Sequence, residues 1–200
     1  MNPKIWGIVL AAGFSRRMGT AKMLLPFKEK SIFRHVIDHG LHSQLYGISA
    51  VVNADIPELI KEASAVGGIH TILNDRSSNE MSQSMKKGLQ SVPEDADAAM
   101  FLLGDQPLVT ADDINIVIRE YYSQKTRPLI VQASYENQKG HPVLFSRSLF
   151  PPLMMVTGDE GGRSVIQQYQ QQVYYATMQK KLAPDIDTKA DYQALLGEEV

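Results

Sequence analysis

Cysteine is absent from this 200-residue chain, which excludes disulfides, thiolate catalysis and cysteine-held zinc. The absence leaves the redox compartment open. No apolar run approaches the ~20 residues that a membrane helix needs. The best candidate, Ile5 to Ala12, is interrupted by Gly7 and closed by Gly13. Arg16 and Arg17 follow it, whereas the charge of an export signal precedes its apolar part. A charge excess is missing as well. The formal net charge of −2 gives no reason to expect a nucleic-acid or membrane partner, so an anionic ligand must be held by local basic groups. A cytoplasmic protein is the expectation.

Linkers, low-complexity tracts and fixed-period repeats are also lacking. The glutamine run Gln167–Gln172 contains a tyrosine and reads as a solvated helix end. Two hundred residues then make one domain over 1–200, long enough to bury roughly 70% of the surface its unfolded chain exposes.

What is present alternates between strand and helix. Apolar runs at Ile5–Leu10, Ile48–Val52, Ile69–Leu73 and Ala98–Leu103 predict buried parallel strands. Leu129–Ala133, Pro142–Phe145 and Val173–Ala176 predict three more, the second of them a candidate antiparallel strand. Between them, Ser31 caps a helix with Ile32, Phe33, Val36, Ile37 and Leu41 on one side. Asp55 with Glu58 reads as a capping box for a helix to Ala65, and Thr110 with Asp113 as another. Further helices are predicted at Ser82–Leu89, around Gly162–Gln170, and at Lys189–Leu196. Leu153-Met154-Met155 reads as core or interface rather than a cofactor pocket. This order implies an α/β fold, a three-layer α/β/α Rossmann-like sandwich on a mostly parallel sheet. Ligands in such folds sit beyond the carboxyl ends of the strands, near the point where strand order reverses.

The loop after the first strand runs Leu10-Ala11-Ala12-Gly13-Phe14-Ser15-Arg16-Arg17-Met18-Gly19-Thr20-Ala21-Lys22. Small residues at 11–13 let backbone N–H groups approach an anion, while Arg17 and Lys22 supply positive charge. It is neither a Walker A loop nor a GxGxxG fingerprint. At the end of the fourth strand, Gly104-Asp105-Gln106-Pro107 puts a carboxylate where the crevice should be. An isolated charge there is costly unless paired or metal-bound, and Mg²⁺ favours one or two carboxylates plus phosphate oxygens. A turn or helix-cap aspartate is the plainer alternative. Near the end of the chain, alternation puts Asp185 and Asp187 on one face and Ile186 on the other, though either acid also suits a helix N-cap.

The first loop resembles the LAAGxSxRMGxxK signature of the MobA-like nucleotidyltransferases, matched by Gly13, Ser15, Arg17, Met18, Gly19 and Lys22. Gly-Asp-Gln-Pro and Asp185-Ile186-Asp187-Thr188-Lys189-Ala190-Asp191-Tyr192 resemble that family's later motifs, with Lys189 where a proline is usual. The resemblance implies that Leu10, Ala11, Ala12, Gly13, Arg17, Lys22 and Gly104 bind the nucleotide. It also implies that Arg17, Lys22 and Asp105 serve catalysis, and that Asp105 with Asp187, preferred to Asp185, holds Mg²⁺. Ser82 and Ser84 fall where relatives place a loop near the base, although Glu80 replaces its usual glycine and Ser82 equally suits a helix cap.

Gly140-His141-Pro142 and Gly158-Asp159-Glu160-Gly161-Gly162-Arg163 are most similar to the molybdenum-cofactor cytidylyltransferases that mature xanthine-dehydrogenase-type enzymes. This similarity implies an acceptor site at His141, Pro142, Asp159, Gly161 and Arg163. It implies CTP and molybdopterin cofactor as substrates, pyrophosphate as product, and transient contact with an apo-molybdoenzyme. Other readings are cytidylyl, uridylyl or guanylyl transfer to another phosphorylated small molecule, and a non-catalytic carrier of nucleotide or cofactor. Guanylyl-transferring relatives usually have glycine in the place of Ala12, so the alanine leans towards a pyrimidine nucleotide. His35, His39, His42 and His70 read as structural.

Overall fold

The computed structural model describes residues 4–13, 21–74, 80–136, 138–182 and 185–197. Its frame is a seven-stranded sheet with helices on both faces. In chain order the strands are β1 (Ile5–Ala11), β4 (Gly47–Asn53), β5 (Ile69–Asn74), β6 (Ala98–Leu103), β7 (Ile130–Tyr135), β8 (Gln138–Ser146) and β9 (Val173–Met178), and in space β5-β4-β1-β6-β8-β7-β9. Two short strands, β2 (Pro26–Phe27) and β3 (Lys30–Ser31), form a separate antiparallel pair. Every pairing in the large sheet is parallel except those of β8, which runs against both β6 and β7. The mostly parallel sandwich and the reversed strand both agree with the pattern in the sequence.

The helices are α1 (Ile32–Leu41), α2 (Pro57–Ala65), α3 (Met81–Gln90), α4 (Ala111–Ser123), α5 (Phe150–Met155), α6 (Arg163–Gln168) and α7 (Lys189–Gly197). The sheet separates two cores. One packs Phe33, Val36, Ile37, Leu59, Ile114, Val117, Ile118 and Tyr121 of α1, α2 and α4 against it. The other packs Met85 and Leu89 of α3, Leu153 of α5 and Val165 of α6 against the opposite face. Ser31 accepts the N–H of Arg34, and Thr110 and Asp113 form the reciprocal box that starts α4. No described helix is long and apolar enough to cross a membrane.

Two of the expected helix starts differ. At α2, Asp55 makes no capping box. Its own N–H donates to Asn53 Oδ1, and the helix opens at Ile56 with Pro57 in its first turn, where a missing N–H costs nothing. At α3 the cap position is Glu80, and Ser82 is the second residue of the helix, with its hydroxyl donating to Glu80 Oε2. The unforeseen α5 begins with Pro151 and Pro152, residues that disguise a helix in sequence but are tolerated in its first turn. Leu153 is its core anchor, while Met155 is 79% exposed.

β1 lies between β4 and β6, and the chain leaves it toward β4 but returns to its other side as β6. Strand order therefore reverses between β1 and β6. Their ends are drawn together there: the Gly104 N–H donates to the Leu10 carbonyl, and a Cβ at Gly104 would stand 2.9 Å from that of Ala11. α3 approaches this region as closely, since a Cβ at Gly88 would lie 2.4 Å from Ile8 Cγ2. Gly88→Ala is expected to destabilise the protein by about 1–3 kcal/mol through overpacking, against the ~0.5–1 kcal/mol that alanine gains in a helix. A lower urea midpoint at unchanged m-value would bear this out, and a higher one would refute it.

Candidate active site

Beyond the carboxyl ends of β1 and β6 lies a cavity of about 560 Å³. At its centre, Lys22 Nζ is 2.6 Å from Asp105 Oδ2 and 3.0 Å from Asp187 Oδ1. Three distant segments supply these groups: a one-turn helix at Lys22–Leu24 after β1, the loop leaving β6, and the segment entering α7. The Lys22 side chain is 10% exposed. Burial opposes its charge, but the two carboxylates outweigh burial and hold its pKa above the ordinary value. The ammonium is therefore the form present at neutral pH.

The 185–191 segment resolves into alternating duties. Thr188 and Asp191 cap the start of α7 reciprocally: Asp191 Oδ2 accepts the Thr188 N–H, and Thr188 Oγ1 accepts the Asp191 N–H. Ile186 is buried with Phe27, Ile32 and Leu195. Asp185 and Asp187 face the cavity, as strand-like alternation requires. Asp185 accepts from Gln106 Nε2 at 2.8 Å, and Asp187 faces Lys22. Neither is the principal cap of the helix.

Two carboxylates converging on one positive centre form an all-oxygen donor set suited to a hard divalent cation. Among the described residues, no group of three or more His, Cys, Asp or Glu side chains could hold a metal alone.

Of the residues expected on the nucleotide side, Leu10, Ala12, Gly13, Lys22 and Ser84 line the cavity. Ala11 and Gly104 stand behind it and let β1 and β6 close up. Ser82 is fully buried. Ser84 Oγ accepts from Asn74 Nδ2 at 2.9 Å. Ser15 and Arg17 lie outside the described residues, as do Arg16, Met18 and Gly19.

On the acceptor side, His141, Asp159, Gly161 and Arg163 line the cavity, with Pro142 behind His141 in β8. Burial pushes the His141 pKa down despite the Phe101 carbonyl and the charges of Asp185 and Asp105, and Arg163 adds to the effect. With Nδ1 3.3 Å from the Phe101 carbonyl, the neutral ring carries its proton there and leaves Nε2 an acceptor.

Glu80, the departure from the family pattern, has a definite place. Its Oε2 accepts the Gly158 N–H at 2.9 Å, while the Gly158 carbonyl accepts the Ser82 N–H and Asp159 Oδ1 accepts the Met81 N–H. The loop at 158–159 is thus fastened to the start of α3. Sequence reading passed over Gln132 and Gln106, both of which line the cavity. The available signal was a long amide side chain inside a strand, between Val131 and Ala133 of the core.

A doubly wound sheet with a glycine loop, a buried lysine and paired acids at its switch point defines a nucleotide-binding enzyme of the transferase class. The chain belongs to the MobA-like NTP transferase domain family, whose model matches residues 7–173. Purine catabolism protein PucB of Bacillus subtilis (strain 168) is 28% identical over 180 residues, covering 82% of each chain. A homolog of Mycobacterium tuberculosis rv0371c from mycobacterium sp. strain JC1 superposes with a TM-score of 0.88 at 28% identity, covering 99% of this chain and 98% of that one. Rv0371C from Mycobacterium tuberculosis H37Rv, in a structure complexed with manganese, superposes with a TM-score of 0.82 at 25% identity over 98% and 100% of the two chains.

The depressed pKa of His141 has a consequence for stability. Below about pH 6.5 an unfolded histidine binds a proton that the buried ring resists, so this group costs stability as pH falls, by at most ~1.4 kcal/mol per pH unit. Urea unfolding from about pH 7 to about pH 5 should show a shallower loss for His141→Asn than for wild type, while parallel curves would contradict the assignment.

Proposed function

We propose that this protein is a Mg²⁺-dependent cytidylyltransferase that transfers CMP from CTP to the phosphate of molybdopterin cofactor, releasing pyrophosphate. The observation that carries the reading is the convergence of Asp105 and Asp187 on one cationic centre at the switch point of the sheet. PucB, a purine catabolism protein by name, supports a role in maturing a xanthine-dehydrogenase-type enzyme. The manganese in the mycobacterial relative supports a divalent cation.

Asp105 and Asp187 would hold Mg²⁺, which when bound neutralises charge on the reacting phosphates. Gly13 and Ala12 offer a close approach to the triphosphate, and Ala12 favours a pyrimidine nucleotide over a guanine one. Lys22, charged and buried beside both acids, turns to the β- and γ-phosphates and offsets the charge growing on departing pyrophosphate, with Arg17. His141 and Arg163, with the loop that Glu80 fastens, position the acceptor.

The acceptor phosphate is anionic before it reacts, so attack on the α-phosphate needs no general base. The neutral His141 has then only to accept a hydrogen bond. Catalysis comes from positioning and electrostatics.

Pyrophosphate release from each NTP, with and without molybdopterin cofactor, tests the proposal. Release is expected with CTP, only when the cofactor and Mg²⁺ are present. Asp105→Asn should lower it by about a hundredfold or more, corresponding to roughly 2.7 kcal/mol of lost charge stabilisation. Release with a sugar or polyol phosphate and not with the cofactor would replace this acceptor. Full activity of Asp105→Asn would remove the proposed metal site.

A further inference from the structure

β7 sends alternate side chains to the two cores. Val131 and Ala133 join the core under α4, and Ile130 joins the core under α3 and α5. Gln132 shares Ile130's face, where the register sets it opposite Val143, itself opposite Phe101. Gln132 is half-buried there, beside a shelf in which the Phe101 and Phe145 rings meet edge to face with centroids 5.8 Å apart.

Gln132 Oε1 and Gln106 Oε1 are buried oxygens with no hydrogen-bond donor among the described residues. The Gln106 amide is fixed in orientation. Its Nε2 donates to Asp185 Oδ1, and a carboxylate cannot donate in return, so exchanging the two ends would face oxygen to oxygen. Gln106 is 5% exposed. An unmet buried acceptor costs about 1–3 kcal/mol, and a ligand that brings donors removes that cost.

Position in the sheet tells which ligand. β7 is three strands from β1, or about 14 Å at the usual strand spacing, on the side away from β4, β5 and the loop that receives the triphosphate. Gln132 is therefore in the acceptor half, with His141 and Arg163. Flat aromatic and aliphatic walls with bare acceptors at the edge suit a planar ring bearing N–H groups. A polyol would require donors as well as acceptors around each hydroxyl.

We infer that Gln132 and Gln106 are specificity residues, which read the N–H edge of a flat nitrogen heterocycle carried by the acceptor. The inference rests on the transferase reading above and names the part of the acceptor that the cavity selects.

The test measures binding without transfer. Wild type, Gln132→Met and Gln106→Met are titrated with pterin, followed by its ring fluorescence, and separately with CTP and Mg²⁺. Pterin affinity is expected to fall about tenfold in Gln132→Met and in Gln106→Met, with CTP affinity unchanged in both. The melting temperature of Gln132→Met should be equal to or above that of wild type, because methionine removes an unmet buried acceptor from beside two aromatic rings. A purely structural glutamine would give the opposite: a lower melting temperature with CTP and pterin binding weakened together.

Failure of wild type to bind pterin at millimolar concentration, or pterin affinity indifferent to both substitutions, overturns the inference. Glutamine-dependent pterin binding without pyrophosphate release from CTP would sink the cytidylyltransferase reading and leave this one standing. Release from CTP with another acceptor and no pterin binding would overturn this inference and replace the acceptor, leaving cytidylyl transfer itself standing.

Discussion

The ion triad of Lys22, Asp105 and Asp187 is the constraint around which the site is arranged. A buried ammonium is tolerated only when its charge is met, and here two carboxylates meet it from segments far apart in sequence. Two carboxylates so close would repel each other without a cation between them. Each part of the fold that brings them together, including the glycine at 104 and the Thr188–Asp191 cap of α7, serves that balance. The same balance means that Lys22 could leave the two acids only if another cation took its place between them.

The second constraint is the division of the sheet. β1 and its neighbours on one side present a glycine loop and small side chains, whereas β8 and β7 present aromatic rings, a neutral histidine and unmet amide oxygens. These are different environments, one of small side chains and backbone, the other of flat rings and bare acceptors. Glu80 and Asp159 hold the start of α3 to the loop at 158–159 through hydrogen bonds. A negative charge in the place of a glycine is thus a fastening, and its meaning lay in a partner 78 residues away.

Much of this was legible in sequence because the responsible signals are local. Continuous apolar runs gave the parallel strands, Thr110 with Asp113 gave the start of α4, and alternation through Asp185, Ile186 and Asp187 gave two acids facing inward. The misreadings arose where tertiary partners decide. Asp55 and Glu58 have the spacing of a capping box, yet Asn53 engages the Asp55 N–H first and Pro57 sets the helix start. Ser82 resembles a cap but is already inside α3, because Gly158 and Asp159 satisfy the helix's first donors. The position of Gln132 was legible in its strand, but nothing along the chain reveals that its buried amide oxygen lacks a donor among the described residues.

The reversed strand has one more consequence. Elsewhere in the sheet the crevice is bordered by the exits of strands, each committed to a crossover helix whose length and angle the whole sandwich fixes. β8 instead brings its entrance to the crevice, where Gln138 pairs with Tyr135 of β7. Hairpins tolerate substitution without disturbing the layers beneath. The β1 border of the crevice is therefore mechanically conservative, while the β8 border belongs to a hairpin that can change its side chains and leave the sandwich intact.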